Sequence, residues 1–299
     1  MAMKLSGVIA AVLTPLNDDL SPDFAEHAAH CRRLLSEGCD GLSPLGTSGE
    51  GNSFSVRERI EIVESLLKRG LSADILLPGT GASSIPDTIE LTRHALKAGV
   101  TSVLMVPPFY YKSVSEDGLY AAYSRVVESV GDDRLRVVLY HIPPVTAVPI
   151  GYGLVERLRA AFPNIFAGVK DSSMDFGNMS GYVDRFPGFA VLSGGEPLVK
   201  PILEYGGAGS ITGCSNIIAP DFTTITRHWN DPSKSAEVLA AHHRVAKVRT
   251  VVIQKPNIAV MKTLLAQRTG KASWRNVRPP LAPLDDAAVT PIAQALAAL

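Results

Sequence analysis

Short apolar runs alternate with longer amphipathic stretches from residue 7 to beyond residue 210, and this alternation constrains the fold more than composition does. Apolar runs of this length are typical of buried strands, and the amphipathic stretches between them are typical of helices. We predict eight strands, at residues 7–14, 41–45, 74–78, 102–106, 136–141, 166–170, 190–193 and 209–212. Helices are predicted between them, among others at residues 23–36, 55–68, 85–97, 116–130 and 153–161.

Eight strand–helix units in roughly 220 residues favour an α/β fold, a closed (β/α)8 TIM barrel. A doubly wound open sheet is the alternative, but the GxGxxG turn usual after its first strand is absent. Beyond Ala219 the strand signals stop, and the remaining residues are predicted to be helical, with breaks at 230–232 and 278–280. We therefore expect residues 1–220 to form the barrel and residues 221–299 to supply its last helix and a C-terminal helical extension.

The composition favours a small-molecule partner. The chain has 299 residues, 46% of them hydrophobic, which is enough for a large core. Its 29 basic residues balance its 29 acidic ones, so no surplus charge points to nucleic acid or to an anionic membrane.

The cysteines and the N-terminus predict a cytoplasmic protein. Cys31, Cys39 and Cys214 are odd in number and widely spaced, without a CxxC pair that would indicate a metal site or a disulfide framework. The apolar run at residues 7–13 is too short to span a bilayer and lacks a signal-cleavage pattern. We interpret that run as the first strand.

Lys170 closes the sixth predicted strand, at the end of the barrel where active sites of this fold lie. An amine held in such a dry place favours its neutral, nucleophilic form, which is how a Schiff-base lysine arises. The alternative is a rim lysine paired with Asp171 or another carboxylate. Tyr140, one strand away, shares the barrel-facing side with Val138 by period-two alternation. Its phenol either shuttles protons for imine formation or simply packs in the barrel mouth.

The loop at residues 46–50, Gly-Thr-Ser-Gly-Glu, follows the second predicted strand. Thr47 and Ser48 offer hydroxyls, and the glycines allow backbone N–H groups to converge on an anion such as a carboxylate. The alternative is an ordinary turn that caps the next helix. Phosphate ranks second, because no Lys or Arg lies immediately beside Gly194-Gly195, where a barrel would usually bind it.

Four segments together resemble one family. They are Gly46-Thr47-Ser48-Gly49-Glu50, Tyr140-His141-Ile142-Pro143, Gly168-Val169-Lys170 and Arg278-Pro279-Pro280-Leu281. In order and spacing they are similar to the dihydrodipicolinate synthase / N-acetylneuraminate lyase family of class I aldolases. The resemblance covers nearly the whole chain and implies a barrel with a C-terminal helical extension, assembled as a homotetramer built from a dimer of dimers.

The resemblance also implies roles for the site residues. Lys170 would condense with the keto carbon of pyruvate or another 2-keto acid, and Tyr140 would shuttle protons. Thr47 and Ser48 match the loop that holds the keto-acid carboxylate, with Thr47 also relaying protons. The protonated imine would be the electron sink, so that no metal or organic cofactor is needed.

Two further matches complete the predicted site. Tyr110 matches a tyrosine that in many members reaches into the neighbouring subunit's site, although the run Phe109-Tyr110-Tyr111 allows Tyr111 in its place. Ile211 matches the residue of the last strand whose backbone carbonyl lines the pocket.

The chain also departs from the family. Dihydrodipicolinate synthases carry an arginine after the shuttle tyrosine to grip the carboxylate of aspartate semialdehyde, and Val145 stands there in this chain. His141 replaces the usual Asn or Asp, and either contacts the acceptor half of the substrate or is structural. A pocket lining of Val145, His141, Ser172, Ser173 and Glu196 predicts a neutral or hydroxylated acceptor.

The leading hypothesis is a lyase that joins or cleaves a 2-keto acid and an aldehyde, or that dehydrates a small, sugar-acid-like substrate. A second is dihydrodipicolinate synthase itself, with another basic residue replacing the missing arginine. A third, from another class, is a non-catalytic keto-acid sensor. Metal-dependent aldolase chemistry ranks lower, because no set of ligands with metal-binding spacing occurs at the predicted strand ends.

Overall fold

Seven parallel strands form one curled sheet in the computed structural model, which describes residues 3–299. The strands are β1 (Gly7–Ala10), β2 (Gly41–Leu42), β3 (Ser102–Met105), β4 (Arg136–His141), β5 (Phe166–Asp171), β6 (Ala190–Ser193) and β7 (Gly209–Thr212). Their order across the sheet is β2-β1-β7-β6-β5-β4-β3. Seven of the eight predicted strands therefore keep their place, some of them shortened by a few residues.

Residues 76–80 close the sheet between β2 and β3. Leu77 N–H donates to the Leu42 carbonyl at 2.8 Å, and Leu104 N–H donates to the Pro78 carbonyl at 2.9 Å. The prediction of a regular strand at residues 74–78 is wrong, because Ala73–Ile75 forms a 3-10 turn and Pro78 has no N–H to donate. The extended segment nevertheless takes the position of the eighth strand, and the predicted (β/α)8 barrel is confirmed.

Within residues 3–299, twelve helices surround and extend the sheet. They are α1 (Phe24–Ser36), α2 (Val56–Lys68), α3 (Ile85–Lys97), α4 (Glu116–Val130), α5 (Pro143–Thr146), α6 (Tyr152–Ala161), α7 (Phe176–Arg185), α8 (Val199–Tyr205), α9 (Ser215–His228), α10 (Ser235–Val252), α11 (Asn257–Thr269) and α12 (Asp286–Ala297). The predicted starts match local capping: Asp23 accepts from Glu26 N–H before α1, and Ser55 forms a capping box with Glu58 before α2.

The core has two layers. A large cluster fills the space between the sheet and the helices, and a smaller interior cluster fills the barrel. Val138 and Tyr140 belong to the interior cluster, whereas Val137 and Leu139 belong to the outer one. This division is the period-two alternation of a strand, and it turns Tyr140 toward the barrel mouth.

The chain beyond β7 is helical, as predicted. The predicted boundary at residue 220 lies within α9, so the division into residues 1–220 and 221–299 remains a prediction. Within residues 3–299, we find no helix that is both long enough and apolar enough to cross a membrane.

Candidate active site

Lys170 lies at the C-terminal end of β5, directly beside Tyr140 of β4. The two residues are register partners, and the Lys170 Nζ lies 4.2 Å from the centroid of the Tyr140 ring. Both side chains are buried, with Lys170 only 4% exposed. Parallel pairing therefore brings the amine and the phenol together in the mouth of the barrel.

The Lys170 amine has no counter-ion. Among residues 3–299, no carboxylate oxygen lies within 4.0 Å of its Nζ. Asp171, the partner considered in the alternative interpretation, instead accepts from Ser173 N–H at 2.8 Å and from Asn178 Nδ2 at 2.6 Å. A structural ion pair therefore does not account for the burial of this lysine.

Tyr140 links Lys170 to the loop after β2. The Tyr140 hydroxyl and the Thr47 Oγ1 share a hydrogen bond of 3.2 Å. Either oxygen can donate, so a proton can pass in both directions between phenol and hydroxyl. Lysine, tyrosine and threonine thus lie together at the barrel mouth.

The loop at residues 46–50 has an unusual backbone. Leu45 and Glu50 flank it in the left-handed region, with φ of 63° and 56°. Gly49 is required, because a Cβ there would lie 2.7 Å from the Val12 carbonyl oxygen. The N–H groups of Thr47 and Ser48 donate to no other residue in the described chain, so both can bind an anion.

Glu50 fixes this loop to the C-terminal part of the chain. Its Oε1 accepts from Lys262 Nζ at 2.7 Å, and its Oε2 accepts from Arg278 N–H at 2.8 Å. The side chains of Glu50 and Lys262 are both 0% exposed. An ordinary capping turn would not need such an anchor, and the cap of α2 is Ser55, outside the loop.

A cavity of about 380 Å³ opens above Lys170, within the usual size of a small-molecule site. Most of the predicted site residues line it, namely Thr47, Ser48, Tyr140, Val145, Lys170, Ser172, Glu196 and Ile211. Gly194 also lines it, and a Cβ there would lie 1.9 Å from the Ser172 Oγ, so a side chain at this position would displace that hydroxyl. The structure thus gathers residues from β4, β5 and β7 and from the segments that follow β2, β4, β5 and β6.

Four residues considered for the site lie elsewhere. Tyr110 and Tyr111 are 73% and 75% exposed, stack edge to face at 5.3 Å, and do not line the cavity. His141 lies on the opposite side of β4 from Tyr140, where its Nδ1 accepts from Ile150 N–H at 3.0 Å. Burial lowers the pKa of His141, which suits this structural acceptor role. Ser173 Oγ accepts from Asp175 N–H, away from the cavity.

The C-terminal helices contribute cavity residues that the sequence did not suggest. Arg249 of α10 and Asn257 of α11 both line the cavity. Arg249 Nη1 donates at 3.1 Å to Glu196 Oε2, while Glu196 Oε1 accepts from Cys214 N–H at 3.3 Å. No local motif marks Arg249, because α10 follows the last barrel strand and its direction depends on tertiary packing.

Comparison with known proteins shows the family and the fold of this chain. Residues 4–299 match the model of the family described as "Dihydrodipicolinate synthetase family". An "Uncharacterized DapA-like lyase" of Chloroflexus aurantiacus is 34% identical, over 94% of this chain and 92% of that protein. The 4-hydroxy-tetrahydrodipicolinate synthase of Bacillus subtilis is 30% identical, over 95% of this chain and 96% of its own length.

Solved structures share the fold. The dihydrodipicolinate synthase from Agrobacterium tumefaciens superposes with a TM-score of 0.89 and is 33% identical, covering 98% of this chain and 99% of its own. A 2-keto-3-deoxygluconate aldolase from Sulfolobus solfataricus has a TM-score of 0.88, covering 98% of this chain and 95% of its own. At 22% identity, the second comparison supports the fold alone.

Proposed function

This chain belongs to the dihydrodipicolinate synthetase family of lyases, and we propose that its Lys170 forms a Schiff base with pyruvate or another 2-keto acid. One observation carries the proposal: a buried lysine without a counter-ion lies 4.2 Å from the ring of a tyrosine in an open cavity. A lysine kept for stability alone would be expected to have an acidic partner.

The proposed chemistry begins with attack of the neutral Lys170 amine on the keto carbon. A proton delivered to the carbinolamine oxygen lets that oxygen leave as water and gives a protonated imine, which withdraws electrons and allows a proton to leave the neighbouring carbon. The resulting enamine carbon attacks the aldehyde carbonyl carbon, whose oxygen takes up a proton, and water then hydrolyses the imine to free the lysine. Cleavage is the reverse, and in a dehydration a hydroxyl group leaves as water instead.

The other site residues support these steps. The free N–H groups of Thr47 and Ser48 suit the keto-acid carboxylate, which would fix the keto carbon beside Lys170. The hydrogen-bonded pair of Tyr140 and Thr47 suits proton transfer to and from the carbinolamine oxygen. The imine supplies the electron sink, so the reaction as proposed uses no metal or organic cofactor.

Three wider predictions stay proposals. We propose a homotetramer in which Tyr110, or Tyr111, reaches the site of a neighbouring copy, and the high exposure of both rings supports this. We also propose a cytoplasmic location, which the three free and buried cysteines support.

For the substrate, we propose an aldol or dehydration reaction of a small, sugar-acid-like molecule. Synthesis of dihydrodipicolinate from pyruvate and aspartate semialdehyde is the second candidate, favoured by the name of the Bacillus subtilis relative. Val145, where that activity normally uses an arginine, weighs against it. A keto-acid sensor is less favoured, because binding alone needs neither the amine nor the Tyr140–Thr47 pair.

Borohydride trapping tests the proposal. With pyruvate present, reduction should leave a stable adduct whose position is read by peptide mass spectrometry. We expect the adduct on Lys170 and none on Lys262. Lys262 is the internal control, because it is a buried lysine too but forms an ion pair with Glu50. An unmodified Lys170, or full turnover by Lys170→Ala, would contradict the proposal. Exchange of the pyruvate methyl protons in heavy water separates an enzyme from a sensor, which would bind without exchange.

A further inference from the structure

Arg249 lies in the cavity with most of its hydrogen-bonding capacity unused, and we infer that it binds a second carboxylate, at the end of the substrate opposite the one that meets the Thr47–Ser48 loop. The substrate class is therefore a dicarboxylic 2-keto acid, or in the condensing direction an aldehyde that carries a carboxylate. This inference rests on the proposed function and names the acceptor that the proposed function leaves open.

The guanidinium of Arg249 is under-used for a structural arginine. An arginine side chain has five N–H donors, yet in the described chain that of Arg249 makes one hydrogen bond, to Glu196. Arg278 shows the contrast, since its guanidinium donates to the carbonyls of Leu20 and Ser53 and to both carboxylate oxygens of Glu58. The side chain of Arg249 is 29% exposed, and what it lines is the cavity.

Glu196 holds the Arg249 guanidinium in place. Its side chain is only 2% exposed, and it is fixed from the other side by the N–H of Cys214. A donor whose direction is already set loses little entropy on binding, and the planar fork of an arginine can hold a carboxylate in two parallel hydrogen bonds. Glu196 is thus a positioning residue for Arg249.

The charges in the cavity point to an anion at this end. Lys170 and Arg249 are the only basic residues that line the described cavity, and the proposed reaction occupies Lys170 as the imine. Arg249 remains as the permanent cation. Its pairing with Glu196 leaves a neutral pair, and an incoming carboxylate finds the unused N–H donors in a partly desolvated place, where charge-assisted hydrogen bonds are strong.

The order of the strands places the two proposed carboxylate-binding groups at different positions around the barrel mouth. The Thr47–Ser48 loop follows β2, Lys170 lies at the end of β5, and Glu196 follows β6. In the strand order, β6 is three strands from β2, with β1 and β7 between them. A substrate whose first carboxylate meets the loop and whose keto carbon meets Lys170 therefore extends its far end toward Glu196 and Arg249. Val145 stands after β4, where the family resemblance leads one to expect an arginine. Arg249 of α10 approaches the cavity from a different direction and provides a guanidinium in its place. This changes the prediction of a neutral acceptor.

Matched aldehydes test the inference. With pyruvate as the donor, we would measure kcat and KM for tartronate semialdehyde against glyceraldehyde, and for succinate semialdehyde against 4-hydroxybutanal. Within each pair, one aldehyde ends in a carboxylate and the other in a hydroxymethyl group. We expect at least one carboxylate-ended aldehyde to be preferred by at least about tenfold in kcat/KM, mostly through KM, as charge-assisted hydrogen bonds provide.

Variants of Arg249 then locate the preference. Arg249→Met should bring the ratio within each pair close to one, and Arg249→Lys should keep part of it because a point charge remains. Lys247→Gln is the matched control, since Lys247 is an exposed cation on the same helix and should leave the ratio unchanged. Because Arg249→Met leaves a buried carboxylate unpaired, the double variant Glu196→Gln with Arg249→Met provides a neutral background in which the same loss of preference is expected.

The inference is overturned if the wild-type protein prefers neither member in both pairs, or if Arg249→Met slows both members equally. Trapping of pyruvate on Lys170 in the wild-type protein is scored separately. A trapped adduct without a carboxylate preference would reject the role of Arg249 and keep the proposed function, whereas absence of the adduct would reject the proposed function.

Discussion

Two lysines are buried in the described part of the chain, and their surroundings are opposite. Lys262 has a side chain 0% exposed and donates at 2.7 Å to Glu50, which is equally buried. Lys170 is 4% exposed and meets an aromatic ring and an open cavity, with no carboxylate within 4.0 Å in the described chain. A buried lysine in an ion pair is typical of a structural role, whereas a buried lysine without a carboxylate partner, beside a cavity, is a candidate for a reactive role. The contrast distinguishes Lys262, with its structural contacts, from Lys170, the lysine proposed to react.

The largest expected effect is on activity, from Lys170→Met. Removing the proposed nucleophile should lower kcat by at least about 10³-fold, because no other group can form the imine. The free energy of unfolding should stay equal or rise, since a buried amine without a counter-ion is replaced by an apolar side chain of similar length. Turnover assays and denaturant unfolding measure the two quantities. A clear loss of stability would show that Lys170 is also structural and would weaken the contrast.

Lys262→Met should act mainly on stability. It leaves the Glu50 carboxylate buried and unpaired, so we expect a loss of about 3–5 kcal/mol in the free energy of unfolding. The double variant Lys262→Met with Glu50→Gln should recover part of that loss, because the uncompensated charge is gone. Urea denaturation of the single and double variants checks this, and equal stability of the two would contradict the ion-pair argument.

A smaller effect concerns pH, through a histidine near Lys262. Burial, reinforced by the charge of Lys262, lowers the pKa of His27 from 6.5 to about 4. Because the folded pKa lies below the unfolded one, the stability contribution is complete above pH 6.5 and is lost as the pH falls through 4. We expect the free energy of unfolding to decrease by about 1–3 kcal/mol over that window.

Substitution at His27 shows how much of this decrease belongs to it. Neither ring nitrogen of His27 has a hydrogen-bond partner among the described residues, so His27→Leu should fold and should flatten the dependence of stability on pH. The exposed His243, changed to Gln, is the control and should leave the slope as it is. An unchanged slope in His27→Leu would assign the acid sensitivity to other groups, of which His30, with its pKa lowered by burial to about 3, is the next to test.

Local pattern was enough to predict most of the barrel and the place of Lys170. Apolar runs and helix caps determine where strands and helices begin, and period-two alternation puts Tyr140 on the inside of β4. The same alternation turns His141 outward, so its absence from the cavity was also within reach of the sequence. The extended segment at residues 76–80 was harder to predict, because a few backbone hydrogen bonds to β2 and β3 hold it in the sheet without a regular strand pattern.

The rest depended on contacts between distant parts of the chain. Glu50 and Lys262 are separated by 212 positions, and no local property of either residue indicates the other. Arg249 shows the same limit, because the amphipathic pattern of a helix predicts its buried face but not the cavity toward which its side chains point. Tertiary packing decides both.

The anchoring of Glu50 also bears on the order in which the protein is made. The loop with Thr47 and Ser48 leaves the ribosome early, and all seven strands are complete once residue 212 has been added. The partners that fasten Glu50, Lys262 and the N–H of Arg278, are translated later. In a nascent chain the residues of all seven described strands are therefore made before those that anchor the loop at residues 46–50, and the loop gains its anchor only with the last helices.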